Sequence, residues 1–270
     1  MRNMESSEQV ITVRNVVKTY PAGGHGRHAR PEVQALRDVS LSVHRGEIFG
    51  IIGENGAGKS TLSECMTGLQ TCSSGTISVL GMNPADTSAS SRRALLNKTG
   101  IQLQQTKFPD KIRVWEMCSL YEGLYEKPAP YAELLDKFGL LQKRNMPVAA
   151  LSGGQKQRLS VVLALIPQPE VLFLDELTTG LDPKARHAVW DVIKSLQQGG
   201  MTILLTSHFM DEVEYLCTRI AVMKQGRICA EGTPSSLMEE HHSKNLEDLF
   251  LLYMAKENED KSINKFGDEE

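Results

Sequence analysis

Long apolar runs are missing from this 270-residue chain. No stretch approaches the roughly 20 residues that a membrane-spanning helix requires. The longest candidates, Val161 to Ile166 and Val171 to Leu174, are of core size. Met1 to Gln9 holds one arginine, two glutamates and no apolar stretch, so no secretory leader is expected there. A strong charge of either sign is missing too. A formal net charge of −3 supplies no field for non-specific attraction to nucleic acid or anionic lipid, and no nucleic-acid partner is expected. Cysteine is sparse and unpatterned: Cys65, Cys72, Cys118, Cys217 and Cys229 are odd in number and contain no CxxC spacing. That argues against a disulfide framework and fits a reduced, cytosolic compartment. The chain is expected in the cytosol, or at a membrane through another protein.

What is present is ordinary for a soluble globular protein. A hydrophobic fraction of 40% and a charged fraction of 23% allow one large α/β domain or two modest ones. Val10 to Val17 alternates apolar and polar residues and predicts a strand. Pro21 to Pro31 is a Gly/Pro/Arg/His-rich turn, whose His25 and His28 lack acidic or cysteine partners for a metal. Leu36 to Val43, Glu47 to Ile52 and Thr76 to Leu80 predict further strands, and Lys59 to Leu69 a helix. From Pro84 to Ile166 the pattern is mostly helical, interrupted at Pro109, Pro128 to Pro130 and Pro147. Glu170 to Leu174 and Thr202 to Thr206 are short apolar strands of the buried, parallel kind, with the amphipathic helix Lys184 to Gln197 between them. Arg219 to Met223 and Arg227 to Glu231 predict a hairpin across Lys224-Gln225-Gly226. The tail from Lys256 is charged and poor in large apolar groups, with the composition of a disordered segment.

Gly53-Glu54-Asn55-Gly56-Ala57-Gly58-Lys59-Ser60 fits the phosphate-loop pattern G-x-x-x-x-G-K-[ST], with Thr61 following. It comes after a predicted strand and opens a predicted helix, as that loop requires. Glycines let successive N–H groups turn inward towards phosphate oxygens, and the helix N-terminus adds a favourable dipole. Lys59 would reach the β- and γ-phosphates, and Ser60 would ligate Mg²⁺. Val171 to Leu174 leads into Asp175 and Glu176 at the carboxyl edge of the predicted sheet. Asp175 is placed to organise Mg²⁺, and Glu176 to orient or deprotonate an attacking water.

Downstream of that loop lies Leu151-Ser152-Gly153-Gly154-Gln155-Lys156-Gln157-Arg158. From residue frequencies, the first five residues would arise on the order of a few times in ten thousand chains of this length. With the phosphate loop and the acidic strand end, this stretch resembles the ATP-binding cassette (ABC) transporter ATPase family, and the resemblance runs from about Val10 to Glu231. It implies an α/β P-loop NTPase fold, a RecA-like core with an antiparallel β subdomain and a helical insertion. It also implies that Ser152, Gly153, Gly154 and Gln155 meet the γ-phosphate of ATP held by a second subunit. By position, Gln104 resembles the glutamine that senses Mg²⁺ or water and touches the membrane partner, with Gln105 as the register one residue on. Thr178 to Asp182 resembles the loop that sets Asp182 across the dimer interface. His208 resembles the histidine that contacts the γ-phosphate and positions water, and Tyr20 the aromatic residue that stacks on adenine.

The resemblance implies a domain over 10–232, its core 10–83 and 167–232 split by a helical subdomain 84–166. A C-terminal helical segment, 233–255, and the tail 256–270 follow. ATP and Mg²⁺ are the implied cofactors. The implied partners are a second ATPase subunit, the same chain or a different one, and a permease on a separate polypeptide, which would hold this chain at the cytoplasmic membrane face. Phe108, Ile112, Val114 and Trp115 would border the permease groove. Asn245 to Tyr253 is similar to the ending of drug- and antibiotic-export ATPases and tilts the expectation to export. The alternative is a soluble relative driving a non-transport assembly such as iron–sulfur scaffold loading. A non-catalytic ATP sensor should have lost Glu176 or His208. A GTPase is disfavoured because Asn97-Lys98-Thr99-Gly100 lacks the guanine-reading aspartate. Leu177 stands where the family commonly has proline, which predicts a looser turn before Asp182.

Overall fold

Two sheets with different burial organise the chain. The structure, a computed structural model, describes residues 8–22, 31–103, 108–109 and 111–255. His25, His28, Gln104, Gln105 and the charged tail lie outside the described residues. Strands β1 (Gln9–Tyr20), β2 (Val33–His44) and β4 (Ser74–Val79) make an antiparallel sheet in the order β2-β1-β4. The second sheet has six strands, β3 (Ile48–Ile52), β5 (Thr99–Gln102), β6 (Val171–Asp175), β7 (Thr202–Ser207), β8 (Arg219–Lys224) and β9 (Arg227–Gly232). Its order is β5-β6-β7-β3-β8-β9, parallel except for the β8–β9 hairpin.

Strands β3, β6 and β7 are buried along their whole length, which is why they read as continuous apolar runs. The strand period of two still sorts their side chains. Ile48, Ile52, Leu172, Leu174, Ile203 and Leu205 enter one core with the long helices. Phe49, Ile51, Val171, Phe173 and Leu204 enter the other, against helix α1 (Lys59–Met66) and the three-stranded sheet. The register aligns Ile52 with Ser207 and Asp175 with Thr206. The chain therefore leaves β3 at Gly53, β6 at Glu176 and β7 at His208 along one carboxyl edge, where open α/β sheets bind their ligands.

Helices α2 (Ala89–Lys98), α3 (Val114–Glu122), α4 (Tyr131–Lys137) and α5 (Gly153–Leu165) fill the middle of the chain. Residues 159–165 of α5 are buried on every side, which marks it as a core helix. Helix α6 (Pro183–Gln198) crosses between β6 and β7, starting on proline behind an Asp182 cap. Helices α7 (Met210–Leu216), α8 (Pro234–Glu240) and α9 (Leu246–Ala255) complete the fold. Two sequence expectations change. The helix from Lys59 ends at Met66 rather than Leu69, and the mostly helical stretch 84–166 contains the sheet strand β5. Four residues are too few to show an alternating pattern, and β5 follows directly on α2. Among the described residues, no helix is long and apolar enough to cross a membrane.

Candidate nucleotide site

Gly58 sets the geometry of the phosphate loop. It sits at φ +104 as the cap residue of α1, a conformation open to glycine, and a Cβ there would lie 2.6 Å from the Ala35 carbonyl oxygen. No side chain caps α1, so the helix presents its first amides to the loop. Lys59 is buried, and its Nζ donates to the carbonyls of Gly53 (2.7 Å) and Glu54 (3.0 Å). Burial pushes its ammonium below the usual lysine range, while the negative charges of Glu176 and Asp175 pull it back up.

Asp175 ends β6 buried, and its Oδ1 accepts a short hydrogen bond from Thr206 Oγ1. Glu176 adopts φ 50, a left-handed conformation that costs a non-glycine residue about 1–3 kcal/mol. Its surroundings hold it there. The Glu176 amide donates to Thr206 O (3.1 Å), and its carbonyl accepts from Thr179 N (3.3 Å) and Gln157 Nε2 (3.3 Å). The result aims the carboxylate at His208, whose Nδ1 lies 3.3 Å from Glu176 Oε1. The Glu176 side chain is 11% exposed against 36% for His208, so the pair faces the cleft from a sheltered side and an open one.

A cleft of about 780 Å³ joins these parts. Tyr20, Asn55, Gly56, Gly58, Lys59, Ser60, Thr61, Glu176 and His208 line it. Tyr20 is half-buried, with Lys18 Nζ 4.9 Å from the ring centre. The remaining walls were not apparent from motifs: Val33, Gln34, Ala35 and Arg37 of β2, and the Gln225-Gly226 turn. That turn is tied to the phosphate loop, since Gly226 N donates to Ala57 O (2.9 Å) and Arg37 N to Gly226 O (2.8 Å). The sequence shows a hairpin turn there but not what it packs on. Gln102 was missed as well. It is buried at the end of β5, and its Nε2 donates to Asp175 O (3.2 Å), joining the segment before Gln104 to the acidic strand end.

Ser152 to Gln155 and Asp182 do not line the cleft. Ser152 caps α5: its Oγ accepts from Gln155 N (3.3 Å), and Gln155 Oε1 accepts from Ser152 N (3.1 Å). Ser152 and Gly153 are exposed, and a Cβ on Gly153 would meet open space. On Gly154 it would collide with the Leu181 side chain. Asp182 is exposed and caps α6 through Ala185 N (3.0 Å). The turn before it, expected to be looser for want of a proline, carries its own side-chain contacts. Leu177 is fully buried, Thr178 Oγ1 donates to Glu212 (2.8 Å), and Thr179 Oγ1 lies 3.4 Å from Glu176 Oε2. Of the expected groove residues, Val114 is core, Phe108 and Ile112 are partly buried against it, and Trp115 is 39% exposed.

The residues present fit a nucleotide and a hard divalent cation. The glycine loop is closed to a Cβ at Gly58 and backed by a buried ammonium, an arrangement suited to phosphate. Ser60 and Asp175 supply oxygen donors. Among the described residues, no group of three or more His, Cys, Asp or Glu could hold a metal.

A sequence model of the ABC transporter family matches residues 36–179. The chain is 39% identical over 239 residues to Nod factor export ATP-binding protein I of Sinorhizobium fredii, covering 87% of this chain and 66% of that protein. It is 40% identical over 229 residues to the methionine import ATP-binding protein MetN of Caulobacter vibrioides, covering 83% and 67%. It thus spans about two thirds of the length of these relatives. A solved dimeric ATP-binding cassette in a post-hydrolysis state, bound to ADP and Pi, superposes with a TM-score of 0.74 at 25% identity, over 83% of this chain and 98% of that one. With the phosphate loop, the acidic strand end and the LSGGQ segment on one such fold, this chain belongs to the ABC transporter family.

Proposed function

We propose that this chain binds and hydrolyses ATP as the energy-supplying subunit of a transporter whose permease is a separate membrane protein. The observation that carries this is the meeting of Lys59, Glu176 and His208 in one cleft, while Ser152 to Gln155 and Asp182 lie outside it. One copy holds the nucleotide and the other completes the site. Bound Mg-ATP supplies the phosphoryl group and the Lewis acid. Lys59 would hold the β- and γ-phosphates, Ser60 and Asp175 the cation, and Tyr20 the adenine ring. Glu176 takes the proton of the attacking water, and His208 Nδ1 fixes the Glu176 carboxylate. Ser152, Gly153, Gly154 and Gln155 of a second copy supply donors to the γ-phosphate, with Asp182 at the joint. Gln104 reports the cation to the permease. Closure on ATP and reopening after hydrolysis give the permease its motion.

The same assignment makes 10–232 the ATPase domain, with the helical subdomain 84–166 carrying the permease contact and 233–255 a C-terminal segment. The chain would sit peripherally on the cytoplasmic membrane face. Identity does not separate export from import, at 39% and 40% to the two relatives. Export is favoured by Leu246 to Phe250, similar to export ATPases, within α9. Glu176→Gln tests the proposal by light scattering after size exclusion, with and without Mg-ATP. Hydrolysis should fall at least about a hundredfold while ATP still binds and now traps a dimer. Normal hydrolysis by this variant would remove Glu176 from the role of base.

A further inference from the structure

Among the described residues, Glu212 is the one buried carboxylate that the site does not use. It lies in α7, is fully buried, and does not line the cleft. Three donors from three elements converge on it. Thr178 Oγ1 (2.8 Å) and Trp190 Nε1 (3.1 Å) donate to its Oε1, and Ser207 Oγ (2.6 Å) donates to its Oε2. Ser207 Oγ in turn accepts from Phe209 N (3.0 Å). Among the described residues no salt bridge reaches Glu212; the nearby Arg186 pairs with Asp211. Burial pushes its carboxyl above the usual range, and the three hydrogen bonds and the Arg186 charge oppose that shift.

The identity of the three donors matters. Thr178 is two residues after Glu176. Ser207 immediately precedes His208. Trp190 lies in α6, the helix capped by Asp182. The two carboxyl oxygens accept from all three at once, whereas an amide of the same shape accepts at one position only and turns N–H groups towards the third, Ser207. Packing alone needs no such group, since an apolar side chain would fill the space without the cost of burying a polar one.

We propose that Glu212 is a positioning residue for hydrolysis, which sets the Glu176 turn and the His208 segment against each other and ties both to the Asp182 helix. A second copy pressing on Asp182 would then be felt at the Glu176–His208 pair. This rests on the roles given above to Glu176, His208 and Asp182.

The test compares Glu212→Gln with wild type for melting temperature, affinity for a fluorescent ATP analogue, and kcat. Nucleotide affinity should stay within about threefold while kcat falls at least about tenfold. Combined with His208→Ala, Glu212→Gln should cost little further, because a residue acting through His208 is not additive with its removal. A kcat within twofold of wild type overturns the proposal, as does a parallel fall of melting temperature, affinity and kcat that adds to His208→Ala. Should Glu212→Gln fail to fold, Thr178→Val and Ser207→Ala each remove one donor and are judged by the same readouts. Glu176→Gln in the same series separates the failures. If it hydrolyses ATP normally, the site assignment falls; if it is dead while Glu212→Gln is active, only the present inference falls.

Discussion

Two helix N-termini on this chain carry the phosphate contacts of the proposed site, and they differ in nearly every physical respect. Helix α1 begins at a left-handed glycine with no side-chain cap, beside a buried lysine and inside a cleft. Helix α5 begins at an exposed serine whose hydroxyl and partner glutamine already cap it, with open space above Gly153. The first leaves its backbone donors for a ligand and surrounds them with charge. The second is satisfied by itself and presents a surface. A half-site that must retain nucleotide alone needs the former; one that must meet nucleotide carried by another copy, and let go again, suits the latter.

Breaking the first half-site should have the larger effect. Lys59→Ala removes a buried ammonium positioned by two loop carbonyls. Two charge-assisted hydrogen bonds to phosphate contribute about 1.5–3 kcal/mol each, so ATP affinity should weaken at least about a hundredfold. Isothermal titration with Mg-ATP measures this directly. Affinity within tenfold of wild type would mean that the glycine cradle, not Lys59, supplies the grip.

Breaking the second should separate binding from turnover. Ser152→Ala deletes the cap of α5 and, in the proposed two-copy site, one donor to a partner's nucleotide. Loss of the cap should cost about 1 kcal/mol, read as a small drop in melting temperature. ATP affinity of the isolated chain should not change, and kcat should fall about tenfold. Weakened affinity in the monomer would place Ser152 in the same copy's site and undo the comparison.

The contrast was legible in the sequence to different depths. The loop Gly53 to Ser60 and the segment Ser152 to Gln155 are contiguous, and their chemistry is local to the backbone they fold. Both could therefore be read without a structure. Strands β3, β6 and β7 were also readable, though not their order in the sheet, because strands buried on both faces are apolar throughout. The cleft's far wall was not, since Ala35, Arg37 and Gly226 acquire meaning only where β2 and the β8–β9 turn pack on the loop. Glu212 was invisible for the same reason: its donors come from positions 178, 190 and 207, which no spacing rule connects.

Leu177 sharpens the comparison at the joint between the two half-sites, where the expected effect is smallest. From sequence alone the absent proline predicts a loose turn, whereas in the fold Leu177 is fully buried and Thr178 and Thr179 bond to Glu212 and Glu176. Leu177→Pro would lose part of that apolar burial and gain about 0.4–1 kcal/mol from a stiffer unfolded chain. The two effects oppose each other, and stability should move by no more than about 1 kcal/mol. Because the side-chain bonds, not residue 177, fix the turn, kcat should stay within about twofold. A clear rise in both melting temperature and kcat would show the opposite: that the turn is slack without proline, and that its slackness limits how well the Asp182 surface governs the pair behind it.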